Sequence, residues 1–336
     1  MKTIPACLIA LALLATASVR GADYHLLKEI PVGGDGGWDY LSVDESARRL
    51  YVSHATKVVV IDVDKNLVVG EITNTPGVHG LAVASDLGRG FVSCGREDKA
   101  AIVDLKTLET LSKVETGKNP DGMLYDPAQQ EIYMFNGRGE SATVIDAKAG
   151  KVIATIALGG KPEFAAVDTK AGRVFNNLED KSEVVAIDTK THTVTNRWPI
   201  APGEGASGMA FDAKNHRLFL GCGNKLMVMM DSTSGKVVGS VPIGEGVDAN
   251  SFDPATQLAF ASCGDGTVTI AHEDAPDKLT VVQTLKTARG ARTMTIDPKT
   301  HRIYLGAAEY EGAPAAGQRR PKMVAGSFKI LVFGAE

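Results

Sequence analysis

The feature that most constrains the fold is a repeat of roughly 42 residues, which recurs seven times between Trp38 and Gly334. In each copy a short phrase ends in an acidic or small residue, and a turn then leads to a second apolar phrase. The first phrase ends at residues 44, 84, 126, 168, 212, 253 and 297. A near-constant period made of short strands is typical of β-propeller blades and argues against a helical solenoid. We therefore predict an all-β, seven-bladed propeller of four-stranded antiparallel blades.

The strands of each repeat differ in polarity. The third is the most apolar, as in residues 58–62 and 184–188, which suits a strand covered on both faces. The Asp that closes it precedes a turn and is expected to be structural. The last repeat ends with the apolar strand 328–333 and no fourth strand follows it. We predict that residues 26–32 supply that strand, so that the two ends of the chain share one blade and the apolar strand is not left as an open edge.

The start of the chain has the pattern of a cleavable export signal. Met1-Lys2 precedes an apolar run at 4–15, and small residues follow, including Gly21. This run is too short to span a bilayer, and no other stretch is long and apolar enough to do so. We expect a signal peptide at 1–21 and one propeller domain at 22–336, located in the periplasm or secreted, as a monomer.

Charge excludes one class of partner. Without Lys2 and Arg20 the chain carries 34 basic and 40 acidic residues, a net charge of −6. General nucleic-acid binding is not expected, because such proteins draw their affinity from Lys and Arg that neutralise phosphates. Three cysteines remain, namely Cys94, Cys222 and Cys263. They occupy the same repeat position in different blades, so disulfides between them are not expected. Soft-metal binding together with His54 or His79 is one interpretation, and a small buried thiol under a glycine turn is the other.

The second strands carry a recurring phrase, as in residues 50–54, 90–94 and 132–136, and residues 119–122 read Asn-Pro-Asp-Gly. With these phrases the chain resembles the YVTN-repeat, YncE-like family of exported seven-bladed β-propellers over essentially all of residues 22–336. The resemblance implies the fold and export. It implies no activity, because this family has no shared catalytic motif to carry over.

Seven side chains are predicted to meet at one mouth of the channel, because the residue that opens each first strand should face it. They are Asp39, His79, Asp121, Glu163, Ser207, Asp248 and Arg292. Convergent carboxylates attract hard cations, so a divalent cation is the cofactor that this ring suggests, and a small polar ligand is the alternative occupant. The opposing interpretation is a solvated polar rim in which Arg292 neutralises neighbouring acids. Trp38 either stacks on a planar ligand or plugs the closure seam.

Two other features border the predicted mouth. The ends of the second strands are expected to form a further ring there, made of His54, Cys94, Asn136, Leu178, Cys222, Cys263 and Ala307. An insertion at 307–327 in the last blade is long enough to be a lid or a locally disordered loop. Its Tyr310, Arg319, Arg320 and Lys322 are the side chains that a lid would place over the carboxylates.

The sequence contains no local catalytic motif. Residues 203–208 match G-x-G-x-x-G but precede a strand and open no helix, so the phosphate-binding geometry is absent. The leading hypothesis is a non-enzymatic binding or scaffolding propeller that engages a ligand, a cation or a partner protein at the acidic mouth. A metal-assisted lactone or ester hydrolase at the same mouth is the alternative, by analogy of fold alone. A redox partnership with a quinone or copper protein is a third, based on compartment and cysteine placement.

Overall fold

A computed structural model describes residues 22–312 and 322–335. Within these residues the chain forms seven four-stranded antiparallel sheets, as the repeat predicts. The first four blades are β2–β5 (Trp38–Asp44, Arg49–His54, Lys57–Asp62, Leu67–Ile72), β6–β9 (Val78–Ala84, Arg89–Cys94, Lys99–Asp104, Thr110–Glu115), β10–β13 (Pro120–Asp126, Glu131–Asn136, Ser141–Asp146, Lys151–Ala157) and β14–β17 (Pro162–Asp168, Arg173–Leu178, Glu183–Asp188, Thr193–Pro199).

The next two blades are β18–β21 (Ala206–Asp212, Arg217–Cys222, Leu226–Asp231, Val237–Pro242) and β22–β25 (Val247–Asp253, Leu258–Cys263, Thr267–Ala275, Lys278–Lys286). The last blade combines β26 (Met294–Asp297), β27 (Arg302–Ala307), β30 (Lys329–Gly334) and β1 (His25–Pro31). A two-stranded hairpin, β28 (Tyr310–Glu311) and β29 (Lys322–Met323), lies in the insertion, and 3₁₀ turns occupy Ser85–Leu87 and Glu179–Lys181.

The first strands line the central channel. Each contacts the first strand of the next blade, and β26 contacts both β22 and β2, so the ring is continuous. Its closure is the predicted one, because β1 pairs antiparallel with β30, with Ile30 opposite Ile330. Tyr24 extends the seam: its ring packs on Phe260 and its hydroxyl donates to the carbonyl of His301 at 2.7 Å. The closure therefore ties the start of the chain to two blades.

The third strands are buried on both faces, as their composition predicts; Val58, Val59 and Val60 are examples. The Asp that ends each of the first five is structural. In the first blade, Asp62 Oδ1 accepts the backbone N–H groups of Asp64 and Lys65. Such Asx turns satisfy the orphan donors of a tight hairpin.

The expected ring at the ends of the second strands is corrected by the structure. These residues are buried, so they belong to the core and do not open on the mouth. His54 stacks on Phe328 with ring centroids 4.4 Å apart. The three cysteines are free thiols, as expected, and each lies inside its blade. The physical reason is that a tight turn directly follows this position, as in the hydrogen bond from the Glu97 N–H to the Cys94 carbonyl, and the side chain is left in the core beneath it.

No helix among the described residues is long and apolar enough to cross a membrane.

The closing strand generates a stability prediction. Ile30 is 1% exposed and packs in the core between the first and last blades, whereas Leu26 on the same strand is 46% exposed. We expect Ile30→Ala to lower the free energy of unfolding by about 2–5 kcal/mol, because it removes buried methyl groups and leaves a cavity. Urea denaturation checks this, with Leu26→Ala as the matched control, expected within about 0.5 kcal/mol of wild type. Equal effects of the two substitutions would contradict a closing role for β1.

Candidate functional site at the channel mouth

The same local backbone feature positions six of the seven predicted mouth residues. Asp39, His79, Asp121, Glu163, Ser207 and Asp248 are each the second residue of a first strand. The strand pairing shifts register immediately after each opening residue, for instance between Pro120 and Met123 in the third blade. A bulge twists the strand and redirects the side chain at the end of a sheet. Here the repeated bulges turn polar side chains towards the axis.

Arg292 departs from this pattern. The first strand of the last blade begins at Met294, so Arg292 lies in the preceding loop, after the buried Ala291. Its side chain still reaches the ring, where Nε lies 3.3 Å from Asp248 Oδ2. The predicted neighbour relation between these two residues is therefore present.

A cavity of about 240 Å³ lies inside this ring. Of the predicted residues, it is lined by Asp39, Asp121, Glu163, Ser207, Asp248 and Arg292. His79 lines an adjoining groove, and its imidazole contacts two residues of the cavity, Asp39 and Asp121. The hydroxyl of Ser207 donates to the carbonyl of Val247 at 3.1 Å, so this hydroxyl is already committed to the backbone.

Asp39, His79 and Asp121 form the tightest cluster. His79 Nδ1 lies 2.8 Å from Asp39 Oδ2 and 3.4 Å from Asp121 Oδ1. On the other side of the His79 imidazole, Asn119 Nδ2 lies 3.3 Å from Nε2. One ligand atom from each of the three residues lies within 4.8 Å of the others, a geometry found for this trio alone among His, Cys, Asp and Glu in the part of the chain that the structure describes. Two carboxylates and an imidazole are suitable ligands for a divalent cation.

Burial makes three carboxylates of the cavity, those of Asp121, Glu163 and Asp248, costly to ionise. Their side chains are 13–19% exposed, and burial raises the pKa of Asp121 to about 6 and those of Glu163 and Asp248 to about 7. The negative charges of neighbouring acids raise these pKa values further. Three bases act in the opposite direction: His79 lowers the pKa of Asp121, Lys161 that of Glu163, and Arg292 that of Asp248. The cavity thus favours positive charge.

The bases of the site respond in the complementary way. Burial alone would lower the pKa of His79, but the hydrogen bond to Asp39 and the charges of Asp121 and Asp39 outweigh it and raise the pKa. Lys161 lies 2.6 Å from Glu163 and also bonds Glu179, and these two carboxylates likewise raise its pKa despite burial. Each base therefore favours its charged form.

The cavity also contains residues that the sequence prediction missed, namely Tyr40, Lys161, Phe164 and Glu179. Tyr40 packs on Phe164 with ring centroids 4.4 Å apart. Its hydroxyl is buried and has no hydrogen-bond partner within the described residues. Burial, followed by the charges of Asp121 and Glu163, raises the pKa of Tyr40 well above its ordinary value, so the phenol is a neutral donor. One signal was available, because Lys161-Pro162-Glu163 repeats the pattern of Asn119-Pro120-Asp121.

The remaining predicted residues lie outside the cavity. Trp38 stacks on Phe328 with ring centroids 4.9 Å apart, which is the seam-plugging arrangement. It also lines both the groove beside His79 and a hollow beside Arg292. Tyr310 lines the hollow beside Arg292, and Lys322 Nζ lies 3.7 Å from Glu311 within the hairpin. Arg319 and Arg320 lie outside the described residues. A lid formed by this insertion stays a prediction.

Comparisons with known proteins identify relatives of part of the chain. It is 28% identical over 136 residues to proteins named "Uncharacterized protein YncE" from Salmonella typhi and Salmonella typhimurium, a match that covers 39% of this chain. The matched segment spans 35% of the length of these relatives. No protein-family model matches the chain.

Solved structures show the fold over nearly the whole chain. "Structure of U3-55K" superposes with a TM-score of 0.76 at 11% identity, covering 93% of this chain and 99% of that one. "Crystal Structure of Mitotic Checkpoint Complex" superposes with a TM-score of 0.76 at 13% identity, covering 99% and 98%. At such identities the likeness concerns fold alone. Together with the seven sheets, the matches confirm the expected resemblance: the chain is a seven-bladed β-propeller with weak sequence similarity to YncE.

Proposed function

We propose that this protein is an exported binding module that holds a divalent cation at Asp39, His79 and Asp121. The observation that carries the proposal is the convergence of these three ligand types within 4.8 Å at the channel mouth. The buried Tyr40 hydroxyl in the adjoining cavity is an independent indication that a ligand enters here, because buried donors are normally hydrogen-bonded.

The charge balance of the mouth supports a dication. Glu163 and Glu179 share Lys161, and Asp248 is paired with Arg292. Asp39 and Asp121 have the imidazole of His79 as their shared partner. A divalent cation that replaces the proton on His79 would balance both carboxylates, whereas the imidazolium balances only one.

The donor set also indicates the kind of metal. Carboxylate oxygens and one imidazole nitrogen suit Mn²⁺ and similar ions, whereas soft ions prefer thiolates. The thiol of Cys94 is an unsuitable metal ligand, because it is buried and its burial raises its pKa to about 11. Three protein ligands leave coordination positions for water or a ligand, which is typical of working rather than purely structural metal sites.

A metal-assisted lactone or ester hydrolase is the second candidate. The observation that favours it is the neutral Tyr40 hydroxyl in the cavity that also contains Asp39 and Asp121. Tyr40 could donate a hydrogen bond to the oxyanion that forms when water attacks a carbonyl, and a cation held by Asp39, His79 and Asp121 would supply the activation of that water.

We expect the protein to bind one Mn²⁺, and His79→Gln and Asp121→Asn each to weaken that binding at least about tenfold, or about 1.4 kcal/mol. Electron paramagnetic resonance of free Mn²⁺ measures the affinity. The matched control is His272→Gln. His272 Nδ1 also lies 2.8 Å from a carboxylate, that of Asp274, but outside the channel, and its loss is expected to leave Mn²⁺ affinity unchanged.

Equal Mn²⁺ affinity in the wild type, His79→Gln and Asp121→Asn would contradict the proposed site. Turnover of a simple lactone or ester that requires Mn²⁺ and is lost in Tyr40→Phe would favour the hydrolase over the binding module.

The raised pKa of Glu163 generates a pH prediction for the metal-free protein. The folded state raises this pKa from 4.5 to about 7, so it binds more protons than the unfolded state, and stability falls as pH rises across this interval. Glu163→Gln removes the ionisation cost, so we expect it to raise Tm by a few degrees at pH 8, from a gain of about 1–3 kcal/mol, and little at pH 5. Glu115→Gln, at an exposed Lys–Glu pair, is the control and should act alike at both pH values. A gain at pH 5 that equals the gain at pH 8 would contradict the electrostatic cause.

Export is part of the proposal and is supported by the signal-like pattern at 1–21. We expect the mature chain to begin at Ala22 and to be found in the periplasm or the medium. Intact-mass measurement of protein from cell fractions tests this, and a full-length chain that stays in the cytoplasm would contradict it.

A further inference from the structure

We infer that the cation is bound together with a small oxyanion, a carboxylate or phosphate group, that Arg96 and Arg138 hold in the groove beside His79. This inference rests on the proposed function and names the ligand class of the same site.

The groove has a volume of about 760 Å³ and shares Asp39 and His79 with the cation ligands. Its outer wall carries Arg96, Lys118 and Arg138, from loops of the second and third blades. The groove is therefore lined both by two of the metal ligands and by three basic side chains.

Two of these cations are free to bind an anion. Lys118 Nζ bonds Asp98 Oδ2 at 2.6 Å, and the other oxygen of Asp98 accepts the Asn119 backbone N–H. Arg96 and Arg138 are exposed and make no side-chain hydrogen bond or ion pair with any described residue, although Asp98 lies within electrostatic range of Arg138. A guanidinium presents a planar fork of donors that fits carboxylate and phosphate oxygens.

Two glycines keep the path between the arginines and the metal ligands open. A Cβ on Gly95 would lie 2.9 Å from His79 Nε2, so a larger residue would press on the imidazole. A Cβ on Gly77 would lie 2.6 Å from Arg96 Cγ, so a larger residue at position 77 would collide with the Arg96 side chain. Gly95 thus leaves room for the His79 imidazole, and Gly77 leaves room for the Arg96 side chain.

The charges make the two ligands interdependent. The groove is lined by three basic residues, by Asp39 and Asp98, and by His79. A dication at the shared edge adds two positive charges, and its open coordination positions can accept an oxyanion oxygen. The cation should therefore strengthen oxyanion binding, and by thermodynamic linkage the oxyanion must strengthen cation binding by the same factor.

The experiment titrates the whole protein with inorganic phosphate and with malonate, in the presence and absence of saturating Mn²⁺, by calorimetry. We expect at least one oxyanion to bind about tenfold more tightly with Mn²⁺, and the double variant R96Q/R138Q to lose that binding about tenfold or more. Its affinity for Mn²⁺ alone should not be weakened, because neither arginine is a ligand of the cation. Arg289→Gln is the control, because Arg289 is also exposed but lines the other hollow of the same face.

The outcomes separate the two proposals. If Mn²⁺ binds normally but phosphate and malonate bind equally well with and without it, or equally well to R96Q/R138Q, this inference is wrong and the proposed function stands. If Mn²⁺ does not bind to the wild type, both are wrong. Stronger binding of phosphate than of malonate identifies a phosphate-bearing ligand, and the reverse order identifies a carboxylate.

Discussion

The antiparallel pairing of β1 with β30 is the interaction on which the rest of the structure depends. It joins the two ends of the chain in one sheet, in which β1 covers the outer side of the apolar strand β30. Because the ring is closed, the seven first strands surround a channel whose diameter is set by blade packing rather than by any single loop. The convergence of side chains from different blades, up to about 250 positions apart in the chain, is a consequence of that closure.

Inside the ring, local backbone geometry and electrostatics act together. A register shift after the opening residue of six first strands directs polar side chains to the axis, where burial opposes the ionisation of carboxylates. Lys161 and Arg292 compensate part of the negative charge, and His79 lies between Asp39 and Asp121. The mouth is thus a place where adding positive charge is favourable, which is the physical basis of the proposed cation site. Arg96 and Arg138 line the neighbouring groove, so acidic and basic side chains lie on the same surface.

Much of the architecture was predictable because it is periodic. The spacing of the repeats predicted seven blades, the apolar third strands predicted burial on both faces, and the absence of a final fourth strand predicted the closure by residues 26–32. The mouth residues were predictable as a group because they occupy one position of the repeat. Lys161 and Glu179 were missed because they lie beside the strands, directly before β14 and directly after β15, and Tyr40 because it follows Asp39 by one residue. The expected ring that includes His54 and Cys94 is buried and does not line the cavity, because a turn directly follows these positions and leaves the side chains in the core.

The amino-acid sequence by itself determined the number of blades, the strand polarity and the identity of the polar residues at the inner strand openings, since each depends on patterns within about 42 residues. The tertiary structure decided which of those residues meet, their distances, and which charges lack a partner. The physical reason is that pKa values, ion pairs and metal-ligand geometry depend on distances of a few ångströms between blades, and those distances exist once the ring is closed.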